Sequence, residues 1–482
     1  MKSERFVLTT ALFLRALLGL LVTSLLAIYL VPDEAQYFLW SQDLGLSYYS
    51  KPPGIAYQIA LSTFLAGDSE AGIRFLSVVI SALIGFVLYR IARNLRFNKQ
   101  ISLYAPLVFC FSPIGILGSF AATTDGGMLL FALLAFNALI KGPQWPLFGL
   151  FIMLSALFKW TGYLMWLPAL LGIILYPEWR KKSVGIAILI SLLAFIPPLV
   201  WNAERGWPSF LHVFHQIAPV KKAPPNPLAF FGSQALLLFP VPFYYFVKAL
   251  LRSLKRPKPH AIAFPAYTAG IILAIFGGLS FFEKVQANWA ILFMPFGALA
   301  AASIGSLRIL KISIIISVIL SLVMLLVPVL EKQKRTAIPY RYNIFKDAMG
   351  WDQLQVLLKK EPAHDFFFSN TYQMASILSY YGPSRGYMLN IDGRRQSHFT
   401  YMPSMAEEQK NKNGLFVRLE EKPFDRSSVI SRVEAQLGPY FESVRFKGEY
   451  PIFSTKNKPV KWVLLFDCQD YNGLEPEKSV IY

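Results

Sequence analysis

"PDEAQYFLWSQDLGLSYYSKPPG", Pro32 to Gly54, follows a nearly unbroken apolar stretch and presents in turn two acids, several aromatics, and a lysine backed by two prolines. A chain that leaves hydrophobic sequence straight into Asp33 and Glu34 is leaving one solvent for another, and the composition says which. Of 482 residues, 55% are hydrophobic and only 16% charged, with a mean hydropathy of +0.44. That profile belongs to integral membrane proteins.

Working outward from Pro32, apolar stretches near the roughly 20 residues needed to cross a ~30 Å hydrocarbon core lie at 6–31, 70–90, 101–120, 184–201, 229–251, 261–281, 289–306 and 309–330. Shorter ones at 126–140, 145–158 and 162–176 complete an expectation of about 11 transmembrane segments, the last two divided around Lys159 and Gly162. The first, opened by Lys2 and Arg5, is longer than a secretory h-region and has no small-residue cleavage site, so it reads as a retained span.

Charge then sets orientation. With the N-terminus in the cytoplasm, alternate crossings put 16 basic residues on that side against two acids, Glu4 and Glu178, while eight acids including Asp33, Glu34 and Asp125 fall opposite. The positive-inside rule accounts for most of the net charge of +19, which therefore speaks for topology and not for nucleic acid. Residues 1–330 read as a transmembrane domain and 331–482 as an extracytoplasmic α/β domain. The latter holds 22 basic and 18 acidic residues, strand-like runs "DFFFSN", "LFVRLE" and "KWVLLFD", and a helical run "YQMASILSYY". The two cysteines, Cys110 and Cys468, offer neither a metal spacing nor a disulfide scaffold.

Asp33 and Glu34 at the end of the first segment fit a solvated helix start, where acids are favoured. Asp125 in "AATTDGGMLLF", Lys51 in "YYSKPPG" and Lys159 in "LFKWTGYLM" fall at the same outer boundary. Ionisable groups beside apolar sequence are costly and are kept for function. This set suits attack by a hydroxyl or amine on a carbon bearing a phosphate leaving group: a carboxylate takes the nucleophile's proton and ammonium groups stabilise the departing phosphate. Asp33, Glu34 and Asp125 are the catalytic candidates, Lys51 and Lys159 the donor-phosphate contacts. No metal site is expected, although a second carboxylate is chemically compatible with a divalent cation. The prolines after Lys51 restrict the backbone that carries it.

Other polar residues have structural readings beside functional ones. His212 and His215 in "HVFH" have helix-face spacing but no carboxylate partners in sequence, which favours an amphipathic helix over a metal site. The stretch "WNAERGWPSF", with Asn288 and Trp289, reads equally as aromatic belt and as the mouth of a site. Lys221 and Lys222 are candidates for lipid phosphates on the outer side, and Arg394 and Arg395 for a phosphorylated acceptor.

Six stretches carry a family resemblance: "PDEAQYFLWSQDLGLSYYSKPPG", "GDSEAGIRFLSVVISALIG", "AATTDGGMLLF", "LFKWTGYLMWLP", "LVWNAERGWPSF" and "VQANWAILFMP". Together they resemble the bacterial branch of the dolichyl-phosphate-mannose protein mannosyltransferase family, glycosyltransferase family 39, and its relative the lipid A aminoarabinose transferase. "SNTYQMASILSYYGP" and "DGRRQSHF" resemble the C-terminal part of the same branch. The resemblance implies an α-helical polytopic GT-C fold, an inverting glycosyltransferase, and a polyprenyl-phosphate-linked sugar donor. The acceptor would be a lipid, glycan or protein at the outer face of the cytoplasmic membrane. Asp33 matches the family's base, Lys51 the lysine of its Glu-Lys-Pro-Pro stretch, and Asp125 the acid of the second outer loop. Ser50 stands where that stretch has Glu, which leaves the sugar open. A lipid-linked sugar transporter or flippase is the alternative; it would favour repeated halves and a mid-membrane polar site, whereas the chain has no evident repeat and little mid-span charge beyond Arg15. A non-catalytic scaffold is a third reading, kept by Ser50.

Overall fold

Helix continuity, more than apolar content, limits how many segments can reach across a bilayer. In the computed structural model, which describes residues 2–26, 28–217, 224–255, 260–333, 338–361, 364–421 and 424–481, four helices are long and apolar enough to cross: Glu4–Leu25, Glu70–Asn94, Ser183–Ala203 and Leu307–Glu331. A fifth exists only if Pro227–Leu238 and Pro240–Lys255, which meet at 107°, are counted as one. The expected eleven transmembrane segments are therefore corrected to four or five, within a largely helical, membrane-associated chain.

The reason is local punctuation. The apolar stretch 101–120 breaks into Lys99–Cys110 and Pro113–Leu117, because the Ser112 hydroxyl accepts the Gly115 N–H at 3.2 Å and Pro113 can start a helix but not continue one. The division expected between 145–158 and 162–176 falls at Lys159, whose backbone is extended. The stretch 229–251 breaks at Phe239, with φ of 79°, ahead of Pro240. Thr124–Ile140, Trp145–Phe158 and Phe293–Ile304 are among the shorter apolar helices. At 1.5 Å per residue, even 17 residues rise only about 26 Å.

The chain forms two compact units, each assembled from separated stretches. The first comprises Met1–Leu21, Pro52–Val200 and Ala218–Met324; the second comprises Val22–Lys51, Trp201–Ile217 and Leu325–Tyr482. The first unit packs an apolar core that includes Leu88, Phe136, Phe148, Phe246 and Phe293. Arg15 is buried in it and donates to the carbonyls of Ser81, at 3.2 Å, and Gly115. It thereby ties its own helix to Glu70–Asn94 and to Pro113–Leu117.

The second unit is built on a five-stranded sheet of order β2-β1-β3-β5-β4, with β1 Phe366–Ser369, β2 Gly386–Met388, β3 Gly414–Glu421, β4 Phe441–Thr455 and β5 Lys458–Tyr471. The runs read from sequence as strands form β1, β3 and β5, and "YQMASILSYY" forms the helix Tyr372–Tyr381. β1 is parallel to β2 and β3, while β5 is antiparallel to β3 and β4. Lys456 and Asn457, with φ of 49° and 65°, make the tight turn joining β4 to β5, the left-handed geometry that matches strand twist. Phe366, Phe368, Phe416, Phe441 and Phe466 fill the core of this unit.

Candidate active site

The opening motif folds as a helix, Pro32–Gln42, followed by a turn. Pro32 is its first residue, and the buried Glu34 carboxylate reaches back to accept the Val31 N–H at 3.2 Å. Glu34, proposed from sequence as catalytic, thus spends an oxygen on capping its own helix. Asp33, one residue earlier, is turned outward and exposed.

The helix is held from within the second unit. The Tyr381 hydroxyl accepts the Leu30 N–H at 2.8 Å, and the Ala348 carbonyl accepts the Tyr29 N–H at 3.1 Å. Phe38 meets Tyr380 edge-on at 5.1 Å. The rest of the motif folds back on the helix: Tyr48 stacks on Trp40 at 4.4 Å, donates to the Trp40 carbonyl at 3.0 Å, and pairs backbone with Lys51 across Tyr49 and Ser50. The turn delivers Lys51 back toward Asp33, close enough for its charge to act on that carboxylate. Behind Lys51, Gly54 meets a requirement of the first unit: a Cβ there would lie 2.7 Å from the Leu157 carbonyl.

Asp33 opens into a cleft of about 620 Å³ lined by Asp347, Trp351, Tyr372, Arg394 and Lys461. The cleft lies beside the residues that follow β1, a recurrent ligand position at the carboxyl ends of parallel strands. An exposed carboxylate inside a concave wall is still crowded by protein. Burial raises the Asp33 carboxyl above its ordinary value, Lys51 and then Arg395 pull it back, and Glu34 and Asp347 push it further up. Arg395 donates to the Tyr372 hydroxyl and lies 5.6 Å from its ring centroid. Gly393, with φ of 60°, and the Asn390 side chain, bonded to both the N–H and the carbonyl of Arg394 at 2.9 and 2.7 Å, shape the loop that carries both arginines. Lys461 is buried, donates to the carbonyls of Lys346 and Met349, and has its Nζ 3.6 Å from the centre of the Trp351 ring; burial pushes it down to about 7.

Asp33, Glu34 and Lys51 therefore share the second unit with Arg394 and Arg395. Asp125 and Lys159 belong to the first unit, where they form a half-hidden ion pair at 2.7 Å. Gly127 helps to make that pair, since a Cβ there would overlap the Phe158 ring that precedes Lys159. Replacing either partner alone, as Asp125→Asn or Lys159→Gln, is expected to lower stability by about 1–2 kcal/mol, with the double variant recovering part of the loss. A double-mutant cycle of thermal unfolding measures this coupling, and additive losses would contradict it.

His212 lies buried against Tyr49, with ring centroids 4.9 Å apart, and His215 is exposed on the same helix. Among the described residues, no group of three His, Cys, Asp or Glu has metal-binding geometry. At Asp33 the neighbouring positive charge is already supplied by Lys51 and Arg395, which does not suit an added divalent cation. Trp201 is buried, stacked on His398 at 6.0 Å and edge-on to Tyr401 at 5.6 Å, so it is a packing residue of the second unit. In the first unit Asn288 is exposed and Trp289 packs half-buried on the core. Lys221 and Lys222 lie outside the described residues.

Three side chains beside Asp33 escaped the sequence reading: Asp347, Tyr372 and Lys461. Tyr372 carried a usable signal, since it begins the helix after a strand-like run. His398 escaped too. Its Nδ1 accepts the Tyr49 N–H at 3.3 Å, and burial, aided by Arg205, pushes it down to about 3 from an ordinary 6.5. A buried neutral histidine must be charged on unfolding in acid, so its contribution is whole above pH 6.5 and is lost as pH falls from 6.5 toward 3. The melting temperature of the chain is expected to fall through that window, and to fall less steeply in His398→Gln. Parallel curves would remove His398 as the cause.

The sequence profile of the dolichyl-phosphate-mannose-protein mannosyltransferase family matches residues 50–201. Over part of its length the chain is thus similar to lipid-linked sugar transferases. Its fold resembles that of ArnT from Cupriavidus metallidurans, with a TM-score of 0.63 at 13% identity in the apo state, covering 96% of this chain and 98% of that one. The undecaprenyl-phosphate-bound form of that protein gives the same TM-score at 15% identity.

Among individual relatives, lipid A galacturonosyltransferase RgtD of Rhizobium johnstonii is 28% identical over 271 residues, which are 54% of this chain and 57% of that protein. The undecaprenyl phosphate-alpha-4-amino-4-deoxy-L-arabinose arabinosyl transferase of Pseudomonas aeruginosa is 29% identical over 198 residues, 36% of this chain and 35% of that protein. The matched part of the chain thus spans between about a third and just over half the length of these curated relatives.

Proposed function

We propose that the chain is a membrane glycosyltransferase that moves a sugar from a polyprenyl-phosphate donor to a lipid, glycan or protein acceptor. The observation that carries this is the Asp33 cleft: an outward carboxylate made more basic by burial, with Lys51 and Arg395 beside it. Relationship to lipid-linked sugar transferases supplies the class of donor.

In the proposed reaction the acceptor's hydroxyl or amine gives its proton to the Asp33 carboxylate. Its heteroatom forms the new bond to the anomeric carbon as the carbon–oxygen bond to phosphate breaks. Attack opposite the leaving group inverts that centre. Negative charge building on the departing polyprenyl phosphate is met by Lys51, with Arg395 as a second cation. Raising the Asp33 carboxyl toward the working pH improves it as a base, because proton transfer is most efficient when the two are matched. Asp347 supplies a second carboxylate near Asp33, a stand-in for the Glu that Ser50 replaces. Asp125 and Lys159 are proposed to support the reaction as a pair, with the charge of each met by the other. We place the chain in the cytoplasmic membrane, with residues 331–482 on the outer side.

The transporter alternative gains nothing from Arg15, whose guanidinium is committed to two backbone carbonyls. The test is transfer itself: purified chain, synthetic polyprenyl-phosphate sugars and envelope lipid extract, with products read by mass spectrometry. A new glycoconjugate together with released polyprenyl phosphate is the expected outcome. Translocation of the donor across vesicles without bond cleavage would replace this reading with a flippase.

A further inference from the structure

A second cavity lies in the first unit, between the start of the helix Lys2–Leu25 and the end of Glu70–Asn94. It has a volume of about 490 Å³, and its wall includes Arg5, Arg90, Arg93, Tyr89, Thr9 and Phe86. Three guanidinium groups share this wall and no acid does; the nearest acid in sequence, Glu4, precedes Arg5. Arg93 donates weakly to the Phe97 carbonyl at 3.4 Å. Arg5 and Arg90 are exposed, and neither has an ion pair among the described residues.

A positive-inside bias scatters basic residues along a membrane edge, and a helix C-terminus attracts them singly. Neither effect calls for arginines from two helices, with a tyrosine and a threonine hydroxyl, around one hollow. Both helices are among those long and apolar enough to cross a membrane. On the same elements Phe6, Phe13, Leu83 and Phe86 are exposed, an apolar flank suited to acyl chains. The forked geometry of arginine favours bidentate contact with phosphate oxygens, and basic pockets between membrane helices hold lipid headgroups.

We propose that this cavity binds the phosphate ester of an anionic glycerophospholipid, with Arg5 and Arg90 as its principal contacts. The site is separate from the Asp33 cleft and does not depend on the proposed transferase reaction.

The test uses the full chain in nanodiscs of phosphatidylcholine containing phosphatidylglycerol, with the lipid retained through a detergent wash counted by mass spectrometry. The parental chain is expected to retain phosphatidylglycerol selectively. Arg5→Gln with Arg90→Gln should retain roughly five- to thirtyfold less, the span for one to two arginine–headgroup contacts. Lys141→Gln, a basic residue outside the cavity, should retain the parental amount. Equal melting temperatures in pure phosphatidylcholine show that the loss is not unfolding. If the double glutamine variant does not fold, Arg5→Lys with Arg90→Lys keeps the charges, loses the forks, and should retain an intermediate amount. Undiminished retention in whichever double variant folds, or an equal loss in Lys141→Gln, overturns the site. Displacement of the lipid by excess inorganic phosphate overturns its assignment to a lipid and leaves a soluble phosphate ligand.

Discussion

Asp33→Asn is expected to lower the proposed sugar transfer by about a thousandfold or more while expression and binding of polyprenyl phosphate stay near parental values. The carboxamide has almost the same volume and keeps an acceptor oxygen, so the helix Pro32–Gln42 and its Glu34 cap have no reason to change. Only the capacity to take a proton is removed, and general-base catalysis accounts for about 10²–10⁴ in rate. Because burial raises the Asp33 carboxyl above its ordinary 3.8, the parental rate should climb with pH through a midpoint above that value, and the variant should lose that limb. Measurement of kcat and donor Kd across pH checks both halves. Parental turnover in Asp33→Asn would remove Asp33 from the chemistry.

Lys51→Ala has the next largest expected effect, on two observables at once. Loss of a cation from a leaving phosphate costs about 2–3 kcal/mol, or roughly 30- to 150-fold, divided between donor binding and turnover. Lys51 is also the first of the two cations that hold the Asp33 carboxyl down. Its removal must therefore raise that group further and move the acid limb of the rate profile to higher pH. A purely structural role for Lys51 would lower the rate without moving the limb. Lys51→Arg keeps the charge and should hold the limb near its parental position even if turnover falls.

How much of this was legible in the sequence varies with the range of the interactions involved. Strands β1, β3 and β5 and the helix Tyr372–Tyr381 could be read because alternation and apolar runs are local properties. Asp33 and Lys51 could be singled out because a charge beside apolar sequence is costly wherever it lies. Glu34 shows the limit of that argument: its carboxylate also caps its own helix, a use that the cost of a charge beside apolar sequence does not distinguish from catalysis. Asp347 and Arg395 act on Asp33, and Asp33 acts on Tyr372, across more than three hundred residues of chain, a distance over which no periodicity carries information.

By itself the sequence determined that this chain associates with a membrane, that its C-terminal part carries strand-forming runs, and that Asp33, Lys51, Asp125 and Lys159 stand where apolar stretches end. Those conclusions follow from transfer free energies, which are summed residue by residue and need no fold. Tertiary structure decided that, among the described residues, four or five helices are long and apolar enough to cross, because a proline or a serine cap ends a helix whatever the hydropathy of its neighbours. It also decided that Lys159 answers Asp125 and that Asp33 faces an arginine and a tyrosine of the C-terminal sheet unit. Charges choose partners by distance in space, and that distance is set by packing.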